Sequence, residues 1–128
     1  MIASGAKAAD NGKSGRDACV LDGGHLERMT LGDSRLAREV LQIFVRQSAM
    51  LLGRICESEP ATVATAAHTM VGSARGIGAW RVADAAERLE RAGRERSEDG
   101  IGDAIVELKA ASLEVTAAIA ARLADPSH

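Results

Sequence analysis

ATVATAAHTMVGSARGIG, residues 61–78, decides the fold, because its apolar residues recur at helical spacing. Pro60, just before it, suits a first helical position, where a missing N–H costs nothing; Gly76 and Gly78 supply the stop. Set His68 to zero and allow about 100° of turn per residue. Val63 then falls near −140°, Ala67 near −100°, Met70 near −160°, Ala74 near −120° and Ile77 near 180°, all about these values by helix geometry. That apolar face is centred roughly 140° from the histidine, so His68 is expected on the outside of the helix. Gly72 at about +40°, Arg75 at about −20° and Val71 at about −60° are expected to surround it on the exposed side.

The rest of the chain reads as helices of the same kind. Asp33 is a suitable N-cap for a long amphipathic helix carrying Leu41, Phe44, Val45, Leu51, Leu52 and Ile55 up to Pro60. CVLDGGHLERM ahead of it predicts a short helix with Leu21, Leu26 and Met29 as its apolar residues, and His25 on its surface. Residues 79–93 predict a third main helix with Val82, Ala86 and Leu89 inward, and Trp80 capping the end of the core. From Ile101, a last helix carries Ile105, Leu108, Ser112, Val115, Ile119 and Leu123 and ends before Pro126. Strand signals are absent and the connections are short. The expected fold is all-α: an antiparallel, up-down four-helix bundle with a short additional N-terminal helix. Residues 1–18 mix Gly, Ser, Ala, Lys and Asp without periodicity and are expected to be a flexible tail ahead of a single bundle domain over residues 19–125.

Composition narrows the function. Hydrophobic residues are 46% of the 128 but aromatics only 2%, so the core must be built from Ala, Leu, Val, Ile and Met, a mixture suited to close-packed helices. A net charge of −2 provides no general drive toward nucleic acid or an anionic membrane. Cys19 and Cys56 have no metal-ligand or redox spacing, no long apolar run is present, residues 1–18 lack the apolar stretch of a signal peptide, and a reduced, cytoplasmic setting is expected. Metal ligation by His68 lacks a second ligand at i+4, where Gly72 stands; His25 and His128 fall in unrelated segments. No apolar surplus demands a dimer, and a monomer is expected.

Glycine inside a helix costs roughly 1 kcal/mol relative to alanine, and this chain uses alanine freely. Gly72, one turn beyond His68, either clears the way for another molecule to reach the ring or belongs to a helix ending in a Gly-rich stretch. An exposed imidazole ordinarily titrates near 6.5 and is largely neutral and nucleophilic near neutral pH, able to accept an activated phosphoryl group.

AHTMVGSARGIGA resembles the AHxLKGSAxxxGA signature of histidine-containing phosphotransfer (HPt) domains, matching at Ala67, His68, Gly72, Ser73, Ala74, Gly78 and Ala79. The GD before the first long helix, the phenylalanine and LL pair on it, and the AxxLE of residues 86–90 are also similar to that family, over about residues 20–124. The resemblance implies a helical bundle that acts as a phosphorelay intermediate of two-component signalling, without an ATP site of its own. His68 would be the phosphoacceptor, and Gly72 the opening for the partner. Expected partners are receiver domains of response regulators and a hybrid sensor histidine kinase. No cofactor is implied for this chain; the Mg²⁺ would belong to the receiver. Val71 would be a small apolar contact, Gly72 and Ala79 would give clearance, and the arginines of residues 75–94 are either rim charges toward an acidic pocket or a solvated surface. One departure stands out: the family's usual lysine three residues after the histidine is Val71 here. Arg75 is the expected partial substitute. Without the lysine, an adaptor that binds a receiver or kinase but accepts no phosphate is the alternative reading.

Overall fold

The computed structural model describes residues 20–56 and 59–124. Cys19, His128 and the expected tail over residues 1–18 lie outside them. Five helices follow one another among the described residues: α1 (Gly23–Met29), α2 (Ser34–Ile55), α3 (Pro60–Ile77), α4 (Trp80–Arg94) and α5 (Glu98–Ala124). No strand occurs among these residues.

Local chemistry sets the boundaries. Asp33 caps α2 by accepting from the N–H groups of Arg35 and Leu36, and Pro60 opens α3. Gly78 ends α3 in the left-handed conformation at φ 82°, where a Cβ would stand 2.9 Å from the Asp22 carbonyl oxygen. α5 starts three residues before the expected Ile101. The reason is a cap inside RERSEDG: the Ser97 hydroxyl accepts from the Gly100 N–H, and Glu98 and Asp99 occupy the first turn, where the helix dipole favours negative charge.

The four long helices are antiparallel, as their cross-links show. Arg81 pairs with Glu114 and Arg88 with Glu107, so numbers rise along α4 as they fall along α5; Arg38 at the start of α2 donates to the carbonyl of Leu123 at the end of α5. Leu41, Phe44, Leu51, Ile55, Met70, Leu89, Leu108, Val115 and Ile119 fill the middle, with alanines between them. α3 and α4 pack most closely of all. At their crossing a Cβ on Gly93 would lie 2.9 Å from the Pro60 carbonyl and 3.1 Å from the Ala64 Cβ, so glycine permits the approach. α2 and α5 close the ring more loosely, which leaves Val45 and Leu52, expected in the core, only half-buried.

α1 lies across the end of the bundle. Asp22 holds it there: its backbone N–H donates to the Gly78 carbonyl, while its carboxylate accepts from the His25 N–H and from the Trp80 indole N–H at 3.0 Å. Trp80 thus caps the core end as expected. His25 departs from its expected surface placement. Its ring packs edge-on to Trp80, centroids 4.9 Å apart, and Nε2 is buried without a partner. Met29, read as apolar filling, is exposed instead.

Gly93→Ala is expected to destabilise the bundle by about 1–3 kcal/mol through overpacking at the α3–α4 crossing, measured by chemical denaturation. The indole N–H of Trp80, and after it the His25 amide, hold the Asp22 carboxyl below its ordinary pKa. A carboxyl depressed in the folded state stabilises it above the unfolded pKa of about 4 and loses that contribution as pH falls through the folded value. Asp22→Asn should therefore lower thermal stability at neutral pH and flatten its decline below about pH 4.

Candidate functional site

Val63, Ala67, Met70, Ala74 and Ile77 are all at most 2% exposed, and the His68 side chain is 71% exposed, as the rotation around α3 predicts. The buried sector is wider than that face. Val71, expected beside the histidine in water, is only 7% exposed and belongs to the core. Helix α4 packs on that flank of α3, where Ala64 meets Gly93 and Arg75 meets Glu87, and a single-helix rotation does not register it. Ala79, expected as clearance on the surface, is fully buried at the N-cap of α4. Gly72 does stand open: nothing lies within 4 Å of where its Cβ would be, and the same holds for Gly76 one turn further.

The ring of His68 is held from the neighbouring helix. Its Nδ1 lies 2.9 Å from Oε2 of Glu90 on α4, a side chain only 12% exposed. A carboxylate only accepts, so the neutral imidazole carries its proton on Nδ1 and leaves the Nε2 lone pair available to a partner. Arg94, one turn along α4, donates to the same Glu90 oxygen. Glu90 is thus a shared acceptor between an imidazole and a guanidinium. Arg75 is engaged elsewhere, donating to Glu87 at 2.9 Å with both side chains about half exposed. Ser73, beside Gly72, donates its hydroxyl to Gln47 on α2 at 2.8 Å and ties that helix to the site.

Gly72, Ser73, Gly76 and Ile77 of α3 and Val40, Ile43, Phe44 and Gln47 of α2 line a shallow groove beside the ring. Ile43 is 54% exposed, and with Leu36 and Met50, seven residues before and after it, forms an apolar stripe on the outside of α2. Among the described residues no group of three or more His, Cys, Asp or Glu is placed to hold a metal. Among the described residues no helix is long and apolar enough to cross a membrane.

Glu90 and the α2 groove were not singled out by sequence reasoning. For Glu90 a signal was present: Ala83, Ala86, Glu90 and Gly93 recur at steps of three and four, all buried, so this glutamate interrupts an inward-facing stripe of small residues. Alternation with Asp84 and Glu87 masked it as solvated surface.

A family described as Hpt domain matches residues 39–123, more than half of the chain. Comparison with curated proteins and with solved structures returns no match.

Long-range ¹H–¹⁵N spectra should report a single neutral tautomer for His68, protonated on Nδ1. In Glu90→Ala the ring loses its acceptor, and a mixture of tautomers is the expected outcome.

Proposed function

The chain belongs to the Hpt domain family, phosphocarrier modules of two-component signalling that interact with receiver domains and kinases, and we propose that it carries the phosphoryl group on His68. The donor is the aspartyl phosphate of a receiver domain, such as that of a hybrid sensor histidine kinase. The acceptor is the aspartate of a second receiver, in a response regulator. What supports this reading is an imidazole exposed on one edge and held on the other by Glu90.

The Nε2 lone pair attacks phosphorus in line, the phosphorus–oxygen bond to the receiver's aspartate breaks, and the carboxylate leaves with the bonding pair. Nδ1 keeps its proton, so the ring becomes cationic as the N–P bond forms. The Glu90 carboxylate sits 2.9 Å from that nitrogen and opposes the developing charge, as the buried aspartate does for the histidine of a hydrolase triad. The return step runs in reverse onto the second aspartate. The sequence carries no Gly-rich phosphate-binding loop, and the chain acts as a stoichiometric carrier without its own ATP site. Phosphoryl transfer calls for a cation at the equatorial oxygens, and the receiver's Mg²⁺ supplies it from the partner's side.

The receiver docks over the α2–α3 groove. Ile43, Leu36 and Met50 supply apolar contact in place of the buried Val71. Gly72 lets the partner's backbone come close to the ring. The groove lies on the same side of α3 as Gly72, so one surface both binds and gives access.

Incubation with a phosphorylated, kinase-free receiver, followed on Phos-tag gels, tests the reading. Wild type should acquire acid-labile, base-stable label, His68→Gln none, and Ile43→Glu should slow labelling at least about fivefold by placing a charge in the apolar contact. A receiver that binds the protein while leaving it unlabelled would favour the adaptor reading that the missing lysine at Val71 suggests.

A further inference from the structure

The site lacks a lysine at Val71, and the residue read from spacing as its substitute, Arg75, is committed to Glu87. Arg75 also stands seven residues from His68, about 10.5 Å along the helix axis. Arg94 is placed differently. It and His68 touch one and the same oxygen of Glu90, by contacts of 2.5 and 2.9 Å, and these two lengths sum to about 5.4 Å as the greatest separation of the guanidinium nitrogen from Nδ1. The Arg94 side chain is 68% exposed, and the contact to Glu90 engages one of its five N–H donors.

Resting on the phosphoacceptor reading, we propose that Arg94 is the cation that binds the phosphoryl oxygens on phosphorylated His68, exchanging part of its contact with Glu90 for them. Two charges make the exchange favourable. Before transfer, Glu90 faces a neutral ring and needs the guanidinium. After transfer, Glu90 faces a cationic ring through the same Nδ1–H, while a dianionic phosphoryl group appears on the other nitrogen. The guanidinium then has a stronger and more exposed partner within reach of its flexible stem, and its planar fork suits bidentate contact with phosphoryl oxygens. One carboxylate thus serves two cations in turn, and the lysine's task passes from α3 to α4. Arg94 lies in the last turn of α4, where its charge also complements the helix dipole, so its place does not depend on phosphorylation.

A small donor removes the receiver from the test. With phosphoramidate, Nε2 attacks phosphorus, the phosphorus–nitrogen bond breaks, and ammonia leaves with a proton from solvent. Phospho-protein yield and decay are followed on Phos-tag gels for wild type, Arg94→Ala, Arg94→Lys and Arg75→Ala, with circular dichroism to confirm that each is folded. Arg94→Ala should lower the yield and shorten the half-life of the phospho-form by about threefold, the scale of a solvent-screened charge pair. Arg94→Lys should restore much of the loss, and Arg75→Ala should behave as wild type. Label in wild type that is equally abundant and long-lived in folded Arg94→Ala overturns the role of Arg94 and leaves the phosphoacceptor reading standing. Equal losses in Arg75→Ala and Arg94→Ala overturn it as well, since general surface charge would then suffice. Wild type that takes no label from phosphoramidate or from a phosphorylated receiver overturns the phosphoacceptor reading, and this inference with it.

Discussion

One carboxylate, Glu90, sets the terms of the site. Burying a charged group is costly unless partners replace the water it loses. Glu90 finds two on neighbouring turns of structure: the imidazole of His68 across the α3–α4 seam and the guanidinium of Arg94 on its own helix. The contact to His68 requires α3 and α4 to approach closely and in fixed register. The fold provides this with small residues. Ala64, Ala67, Ala74, Ala83, Ala86 and Gly93 are buried, and the glycine leaves room for the Pro60 carbonyl at the crossing. An alanine-rich core with almost no aromatic residues is therefore what holds a functional ring at hydrogen-bonding distance from its acceptor.

The same economy of side chains acts on the outside with the opposite result. Inside the seam, glycine admits a neighbouring helix; at Gly72, where nothing lies within 4 Å of a would-be Cβ, it leaves space for another molecule. The α2 stripe of Leu36, Ile43 and Met50 flanks that space and remains uncovered, at odds with the burial such residues usually achieve. Position, tautomer and access of the histidine thus come from three different helices, with α3 bearing the ring, α4 orienting it and α2 offering the apolar floor beside it.

Most of the architecture was legible because each helix carries its own boundary chemistry. Asp33, Pro60 and Gly78 act within a few residues of themselves, and the orientation of His68 follows from the period of one helix. What was not legible depends on pairs of helices. Val71 sits about 80° from the centre of its helix's apolar face by rotation and still becomes buried, because α4 packs on that flank. Ala79 is short enough to fit either inside or outside, so only the corner it occupies decides. His25 reads as surface until Trp80, 55 residues later, is brought against it. Arg75 and Arg94 are equally exposed cations in sequence; the distances to Glu87 and Glu90 separate them. The later start of α5 is a different kind of miss, since Ser97 and the acidic pair after it are a local cap signal that the turn-like composition of RERSEDG obscured.

The most direct measurement is the position of the phosphoryl group on the ring. In protein phosphorylated after ¹⁵N-histidine labelling, long-range ¹H–¹⁵N spectra distinguish the two ring nitrogens of His68. Phosphorus is expected on Nε2, with a proton retained on Nδ1 toward Glu90. Phosphorus on Nδ1, or on a residue other than His68, would contradict it, because the nitrogen that Glu90 holds would then be the one that reacts, or the ring would not react at all.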